Sequence, residues 1–436
     1  HIGQGSARGG LPDVTNPYVD LMSAEMATLV SLAYFFFGDQ FDAVSPQINQ
    51  RIKHEVQKRV LIPAYENEFW WMGFNTSDRR PNNWNPWICS NWMMANFLIE
   101  DDPEVKAKYT YKILQVLDNF LNPYPPDGGC DEGPSYWNAA AGALFDNLVL
   151  LNKATNDYFS QAYENDLIRN MGTYIKKVHI GNGYFVNFAD AGPKANPGWE
   201  VLYHYGKKIN DAGMMDFGGC RFKNEDFIPG TWHIHRFLES LSLMDDVATQ
   251  PCKKPFPEYS WLSDIQLMTV RDGGGDKNGF FLAAKGGHNA ESHNHNDVGS
   301  YLVYDNAQPV LIDIGSGTYT KRTFSSERYT LWFNRSDYHN VPIINGHAQY
   351  AGREYAAVNV SSSNSNKKAT FTAEIQKAYP EEAGIAFWKR QMVFDKRKEI
   401  GITEAFEFEN ASNEIIIPLM TTLVPVPKDE QTFLLY

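Results

Sequence analysis

The run Ser292-His293-Asn294-His295-Asn296-Asp297 sets two imidazoles two residues apart, just ahead of an apolar stretch at Tyr301–Tyr304, and Asp313 ends the next one at Val310-Leu311-Ile312. Near neutral pH an imidazole can accept a proton or bind a metal. With only 11 histidines in 436 residues, such a pair is a candidate site. In extended chain the i, i+2 spacing puts His293 and His295 on one side. Adding Tyr338-His339-Asn340-Val341 gives His295, Asp313 and His339, two imidazoles and a carboxylate, a donor set that zinc commonly takes. His293 would then remain free for proton transfer. The other reading is that these histidines only hydrogen-bond their own loops.

Two further groups lie upstream. Pro81-Asn82-Asn83-Trp84-Asn85-Pro86-Trp87-Ile88 crowds amides and indoles into one short run. Amide donors can bind a carboxylate or a sugar hydroxyl, or cap a helix after a Pro-rich loop. Asp127-Gly128-Gly129-Cys130-Asp131-Glu132-Gly133-Pro134-Ser135-Tyr136-Trp137 is a glycine- and acid-rich loop opening into a helix. Tyr136 falls near that helix's first turn, where the macrodipole stabilises negative charge, including a phenolate; the plain alternative is a packed aromatic. Arg79 and Arg80 precede the Asn-Trp run, and Arg328, Arg335 and Arg353 surround His339. Trp87, Trp92 and Trp137 could stack on sugar rings or fill a core. Glu132, His204 and Tyr329 complete the candidate substrate contacts.

The elements that must hold these residues fall into two textures. From residue 17 to about 250, apolar residues recur at helical spacing: Val19 to Phe37, stopping at Gly38; Val105 to Leu121 behind Pro103; Trp137 to Leu151; Phe159 to Val178; His233 to Leu243. Helix–loop–helix units without intervening strands predict an all-α array such as a helical toroid. After Pro251–Pro257 come short runs of β-formers: Ile265–Val270, Phe280–Ala284, Tyr301–Tyr304, Pro309–Ile314, Thr370–Ile375, Ala386–Phe394, Glu399–Phe408 and Ile415–Met420. They predict stacked antiparallel sheets, with Ser361–Asn366 as a polar turn. The expectation is an α+β chain of two domains, 1–250 helical and 255–436 antiparallel β. The second could be incomplete where the chain stops, and the start at His1 without Met fits a trimmed product.

Composition limits the function. Hydrophobic residues are 43% and charged residues 21%, as in a globular protein. No apolar run reaches the roughly 18 residues of a membrane span. A formal net charge of −13 argues against a nucleic-acid partner, whose footprint is a basic patch, but leaves room for a locally basic cleft that takes an anionic sugar. Four scattered cysteines fix no disulfide framework. Oligomeric state is not readable. Aromatic residues at 14% fit a large core or a carbohydrate cleft.

The three groups, in this order, resemble the heparinase II/III-like polysaccharide lyases, a superfamily that includes alginate lyases. The resemblance spans most of the chain and is sharpest at Asp127–Tyr136, at His293-x-His295-x-Asp297 with Asp313, and at His339-Asn340; the Asn83-Trp84 match is looser. It implies an N-terminal incomplete (α/α) toroid followed by an antiparallel β-sandwich. It implies Asn83 as the group that neutralises a substrate carboxylate, Tyr136 as catalytic acid or base, and His293 as its partner. His295, Asp313 and His339 would bind a structural zinc. It also implies an acidic polysaccharide substrate and a periplasmic or secreted location. Two departures bear on which uronic acid is chosen. Trp84 stands where some relatives have His, and Asn138, Ala139 and Ala140 stand where some carry Arg.

The reaction so implied is β-elimination at a 4-linked uronic acid. Asn83 hydrogen-bonds the carboxylate, Tyr136 or His293 takes the C5 proton, and Tyr136 protonates the leaving oxygen. A tyrosine with its ordinary pKa of about 10 is a poor base near neutrality. The competing readings are a zinc-dependent hydrolase, a non-catalytic acidic-glycan-binding protein, and a glycoside hydrolase built on Asp127, Asp131 and Glu132. Since Asn83 and Tyr136 lie far upstream of His293, the lyase reading expects an active site between the two domains.

Overall fold

The computed structural model describes residues 13, 15–75, 80–224, 232–409 and 414–436. The candidate Arg79 lies outside them. In chain order the helices are α1 (Leu21–Val44), α2 (Pro46–Val56), α3 (Ile62–Glu66), α4 (Trp84–Ile99), α5 (Pro103–Leu121), α6 (Ala141–Ala154), α7 (Asp166–Lys177), α8 (Trp199–Lys208), α9 (Ala212–Asn224), α10 (Ile234–Ser240) and α11 (Met244–Thr249). The strands are β1 (His179–Gly181), β2 (Tyr184–Phe185), β3 (Tyr259–Leu262), β4 (Leu267–Arg271), β5 (Phe280–Lys285), β6 (His288–Asn289), β7 (Tyr301–Asp305), β8 (Gln308–Leu311), β9 (Ile343–Ile344), β10 (Gly352–Ala356), β11 (Val358–Asn364), β12 (Lys368–Glu374), β13 (Ile385–Asp395) and β14 (Glu399–Phe408), followed by three short ones. Two compact units result. Unit 1 comprises residues up to Tyr124, Asn138–Gly172 and Gly198–Cys252; unit 2 comprises Pro125–Trp137, Thr173–Pro197 and Lys253–Tyr436.

Unit 1 is the incomplete (α/α) toroid. Its first helix starts at a reciprocal cap: the Ser23 amide donates to Asp20 Oδ1 at 2.8 Å and the Asp20 amide to Ser23 Oγ at 2.9 Å. The sequence predicts a stop at Gly38, but α1 runs on to Val44. A single Gly costs about 1 kcal/mol in a helix interior and does not end one. The break comes at Ser45, whose hydroxyl caps α2 with Pro46 in its first turn. By length and composition α1 could cross a membrane, with a mean hydropathy of 1.4 over its most apolar window. In unit 1 it packs on α4, burying Ala24, Ala27, Thr28, Ser31 and Leu32, and Thr28 Oγ1 donates to the Asn91 carbonyl at 3.1 Å. Helix α4 also packs against α5 and α6. Its buried Asn85 donates to the carbonyls of Trp71 at 3.0 Å and Val116 at 2.9 Å, linking α4 to the segments on either side. Cys220 and Cys252 form a disulfide, a pairing the sequence spacing did not reveal.

Unit 2 is the antiparallel β-sandwich. One sheet has the order β3-β4-β5-β7-β8 and the other β11-β12-β13-β14. Alternation sets the inner face. On β12 it is Ala369, Phe371 and Ala373, and on β13 Trp388, Arg390, Met392 and Phe394, that are buried. They meet Met268, Val270, Leu282 and Ala284 of the first sheet in one core. The residues read as a polar turn, Ser361–Asn364, instead form part of edge strand β11, paired with β12. An edge strand tolerates polar side chains because one of its faces stays wet. Strands β4 and β5 are buried on both faces. Part of that burial comes from the Thr173–Pro197 excursion, which carries the unpredicted hairpin β1-β2. Thr269 Oγ1 donates to the Lys177 carbonyl at 3.0 Å, and Arg271 Nη2 to that of His179 at 2.6 Å.

Trp388 is fully buried, stacks on Phe406 at 4.8 Å and donates through Nε1 to Glu404 at 2.7 Å. Trp388→Ala should destabilise the sandwich by about 3–5 kcal/mol, read from denaturant unfolding. A loss below about 1 kcal/mol would show that this core does not hold the unit together.

Candidate active site

The site in unit 2 is built from three separated segments. The first is the loop holding Glu132 and Tyr136. It is fastened to the turn between β3 and β4 by a reciprocal pair: the Asp264 amide donates to Asp127 Oδ2 at 2.6 Å and the Asp127 amide to Asp264 Oδ2 at 3.0 Å. Tyr136 closes a single 3-10 turn, Pro134–Tyr136, and the next helix begins only at Ala141. The expected macrodipole support for a Tyr136 phenolate therefore falls away. Gly133, at φ +88°, is where a side chain cannot fit: an added Cβ would meet Ala191 Cβ at 2.6 Å and the Phe188 carbonyl at 2.9 Å. That close approach brings in the second segment, Phe188–Ala191, and with it Asp190.

The third segment carries the histidines. The Ser292 amide donates to Asp131 Oδ2 at 3.2 Å, tying this loop to the first. His293 sits in the left-handed region at φ 57°, a conformation that costs energy for any residue with a Cβ and often marks a functional position. Its ring stacks on Tyr136, with centroids 4.5 Å apart.

Asp190 joins these parts. It is buried. Its carboxylate accepts from His293 Nδ1 at 2.8 Å, His295 Nε2 at 2.9 Å, Arg328 Nη2 at 2.8 Å and the Tyr319 hydroxyl at 3.2 Å. Burial alone would raise this carboxyl, but the hydrogen bonds from His293, His295 and Arg328 prevail and hold it well below the ordinary carboxylate range. A carboxylate only accepts, so the proton of His293 sits on Nδ1, and Nε2 is the ring nitrogen left for chemistry. Nε2 lies 3.7 Å from Glu132 Oε2. The Tyr319 and Tyr136 hydroxyls are hydrogen-bonded to each other. Burial pushes the Tyr136 phenol up to about 12, against the opposing effect of the Tyr319 hydrogen bond. Tyr136 is thus a phenol at neutral pH, fit to give a proton rather than to take one.

Behind Asp190 lie His295, Asp313 and His339, all buried, with one ligand-type atom from each within 4.8 Å of the others. Each imidazole is oriented by an acceptor: His295 through Nε2 to Asp190, and His339 through Nε2 to the Phe333 carbonyl at 3.2 Å. That leaves the Nδ1 atom of each ring as the one not held by these acceptors. His339 Nδ1 is 2.9 Å from Asp313 Oδ2, and His295 Nδ1 is buried without a hydrogen-bond partner. Paired imidazoles held by outer acceptors beside a carboxylate are the usual surroundings of a zinc ion.

The remaining candidates lie elsewhere. Tyr329 is in unit 2 and its hydroxyl accepts from Asn294 Nδ2 at 3.1 Å. In unit 1, Asn83 is buried at the start of α4 and its side chain makes no capping bond; Asn82 Oδ1 accepts from the Trp84 amide instead. Arg80 lies over the Tyr124 ring at 4.8 Å. Trp87 donates to Glu25 at 2.6 Å and stacks on His233. His204 is buried edge-on to Phe145, and burial lowers it to about 4. The sequence reading missed Asp190 and Tyr319 altogether and took Arg328 only as one of several flanking arginines.

Residues 259–422 match the family model described as heparinase II/III-like, C-terminal. No curated protein matches the chain in sequence. Among solved structures, a mutant of the heparan sulfate lyase HepC from Pedobacter heparinus has a TM-score of 0.61 at 14% identity, covering 93% of this chain and 57% of that one. A heparinase III structure has a TM-score of 0.67 at 12% identity, covering 93% and 58%. A heparinase III gene product with methylated lysines has a TM-score of 0.64 at 15% identity, covering 94% and 55%. The chain thus spans little more than half the length of the proteins whose fold it shares.

Asp190→Asn should destabilise unit 2 by about 3–5 kcal/mol, because it leaves the Arg328 guanidinium without its buried counter-charge. Adding Arg328→Met should recover part of that loss. Additive losses in the double variant, measured by denaturant unfolding, would mean that the two side chains do not act as a pair.

Proposed function

We propose that this chain, whose C-terminal domain belongs to the heparinase II/III-like family, is a polysaccharide lyase that cleaves a uronic-acid-containing polymer by β-elimination. The observation that carries the reading is the Tyr136–His293 pair, a protonated phenol stacked on an imidazole whose Nδ1 is bound to a buried carboxylate. A hydrolase needs an activated water; an elimination needs a base at C5 and an acid at O4, and this pair supplies one of each.

In the proposed reaction His293 Nε2 takes the C5 proton, and the C5–H electron pair forms the C4–C5 double bond. The C4–O4 bond breaks as Tyr136 gives its proton to the departing oxygen. Asp190 keeps the imidazole in the required tautomer, and Glu132 lies on the side where positive charge develops at Nε2. Asn83 is the proposed donor to the substrate carboxylate, a contact of a kind often worth about 3 kcal/mol in the transition state. Arg80, Trp87, His204 and Tyr329 remain proposed substrate contacts. His295, Asp313 and His339 are the proposed holders of a structural zinc, which when bound would fix the loop that presents His293. The burial of all three favours structure over metal-centred hydrolysis, which requires an open coordination position. The solved structures named as heparan sulfate and heparinase proteins make heparan sulfate the first polymer to try. A periplasmic or secreted location belongs to the same proposal.

The test is a screen of heparan sulfate, chondroitin, hyaluronan, alginate and glucuronan for the ultraviolet absorbance of an unsaturated uronate. Tyr136→Phe and His293→Ala should each lower turnover about 10²–10⁴-fold. No absorbance on any of these polymers, or full activity in both variants, would overturn the reading. The proton donor must keep its proton, and its loss on the alkaline side follows its own pKa. With Tyr136 at about 12, kcat/KM should not fall through the ordinary tyrosine range near about pH 10. A drop there would show a phenol unperturbed by burial.

A further inference from the structure

A second histidine pair two residues apart, His233 and His235, lies in unit 1 and plays no part in the chemistry above. His233 precedes α10 in a left-handed conformation at φ 57°. Its amide donates to both carboxylate oxygens of Glu25, at 3.1 Å each, so its backbone is anchored independently of its ring. One ligand-type atom from each of His233, His235 and Asp146 of α6 lies within 4.8 Å of the others. His233 is 8% exposed, His235 4% and Asp146 5%.

The ring nitrogens are what distinguish this group from an ordinary buried hydrogen-bond network. His233 Nδ1 and both nitrogens of His235 are buried with no hydrogen-bond partner. His235 Nε2 stands 3.6 Å from Asp146 Oδ2, too far for a hydrogen bond. It is close to the separation of about 3.4 Å between two ligands on a tetrahedral zinc with bonds of about 2.0–2.1 Å. The carboxylate is already aimed: Arg236 Nε donates to both its oxygens at 3.0 Å and Nη2 to Oδ2 at 2.7 Å. A second carboxylate is nearby, with Glu25 Oε1 3.9 Å from His233 Nδ1.

We propose that Asp146, His233 and His235 form a second metal site, separate from the His295–Asp313–His339 set, taking a zinc-class divalent cation through two imidazoles and a carboxylate. The donor set selects a borderline metal over calcium or magnesium, which prefer oxygen ligands. Arg236, a cation on the same carboxylate, weakens the hold, so this should be the weaker of the two sites.

The test is zinc titration of the whole chelator-stripped chain by calorimetry, with metal content measured after dialysis. The wild type should bind two equivalents. His235→Gln, which keeps a polar side chain, should bind one, as should Asp313→Asn, and the double variant none. His233→Gln supplies a second way to open the site should His235→Gln fail to fold. A wild type that binds no zinc, or a stoichiometry that is unchanged from wild type in folded His235→Gln or His233→Gln, would overturn the proposal. Because the readout is stoichiometry, it stands or falls independently of the lyase reading.

Discussion

The Asp190 carboxylate is buried and accepts hydrogen bonds from two imidazoles, a guanidinium and a phenol. Taking a carboxylate out of water costs several kcal/mol unless its partners compensate. Here each partner that compensates is itself part of the site. Arg328 supplies the counter-charge. His295 supplies a hydrogen bond through Nε2, which leaves Nδ1 unengaged by any hydrogen bond. His293 supplies another and has its tautomer set. The electrostatic demand of one buried charge therefore orients the candidate base and the candidate metal ligands together, and a change at either is felt by the other.

The surrounding fold meets that demand with short-range devices. Gly133 has no side chain, so the Tyr136 loop can lie against Ala191. Asp131 and Asp127 tie the same loop to the histidine segment and to the turn between β3 and β4. Lys285 is buried between Asp297 at 2.7 Å and Glu291 at 3.0 Å. Burial would lower this amine, but the two carboxylates hold it above its ordinary value, so a charged cluster braces the loop just past His295. Asn340 donates to the carbonyls of Tyr301 and Ile312, holding the His339 segment to the strand ends that carry Asp313. Backbone strain at His293 is sustained because its neighbours are fixed from several sides.

How much of this could be read from the chain depended on whether the signal was local. His293, His295, Asp313, His339 and Tyr136 lie in short runs of unusual composition, and the structure brings Tyr136 to His293 and gathers the other three. Asp190 gives no such signal. It sits between two alanines in Ala189-Asp190-Ala191, and its importance comes from contacts across more than 100 residues of chain. Tyr319 is equally silent. Strand alternation announced β12 and β13, whereas the polar edge strand β11 read as a turn, and Gly38 read as a stop because intrinsic propensity ignores what α1 packs against. Asn83 was singled out with two other asparagines. The structure separates them: Asn82 caps, Asn85 serves the core, and Asn83 is buried at the start of α4 without capping it.

In the proposed reaction the bond to O4 is broken by elimination and not by water. The most direct measurement is the mass of the products formed from a uronate oligosaccharide in water enriched in heavy oxygen. Elimination predicts two fragments whose masses sum to that of the substrate, one carrying an unsaturated end and neither carrying label from the cleavage step. Fragments that together gain one water, with heavy oxygen at the cleaved bond, would contradict the account.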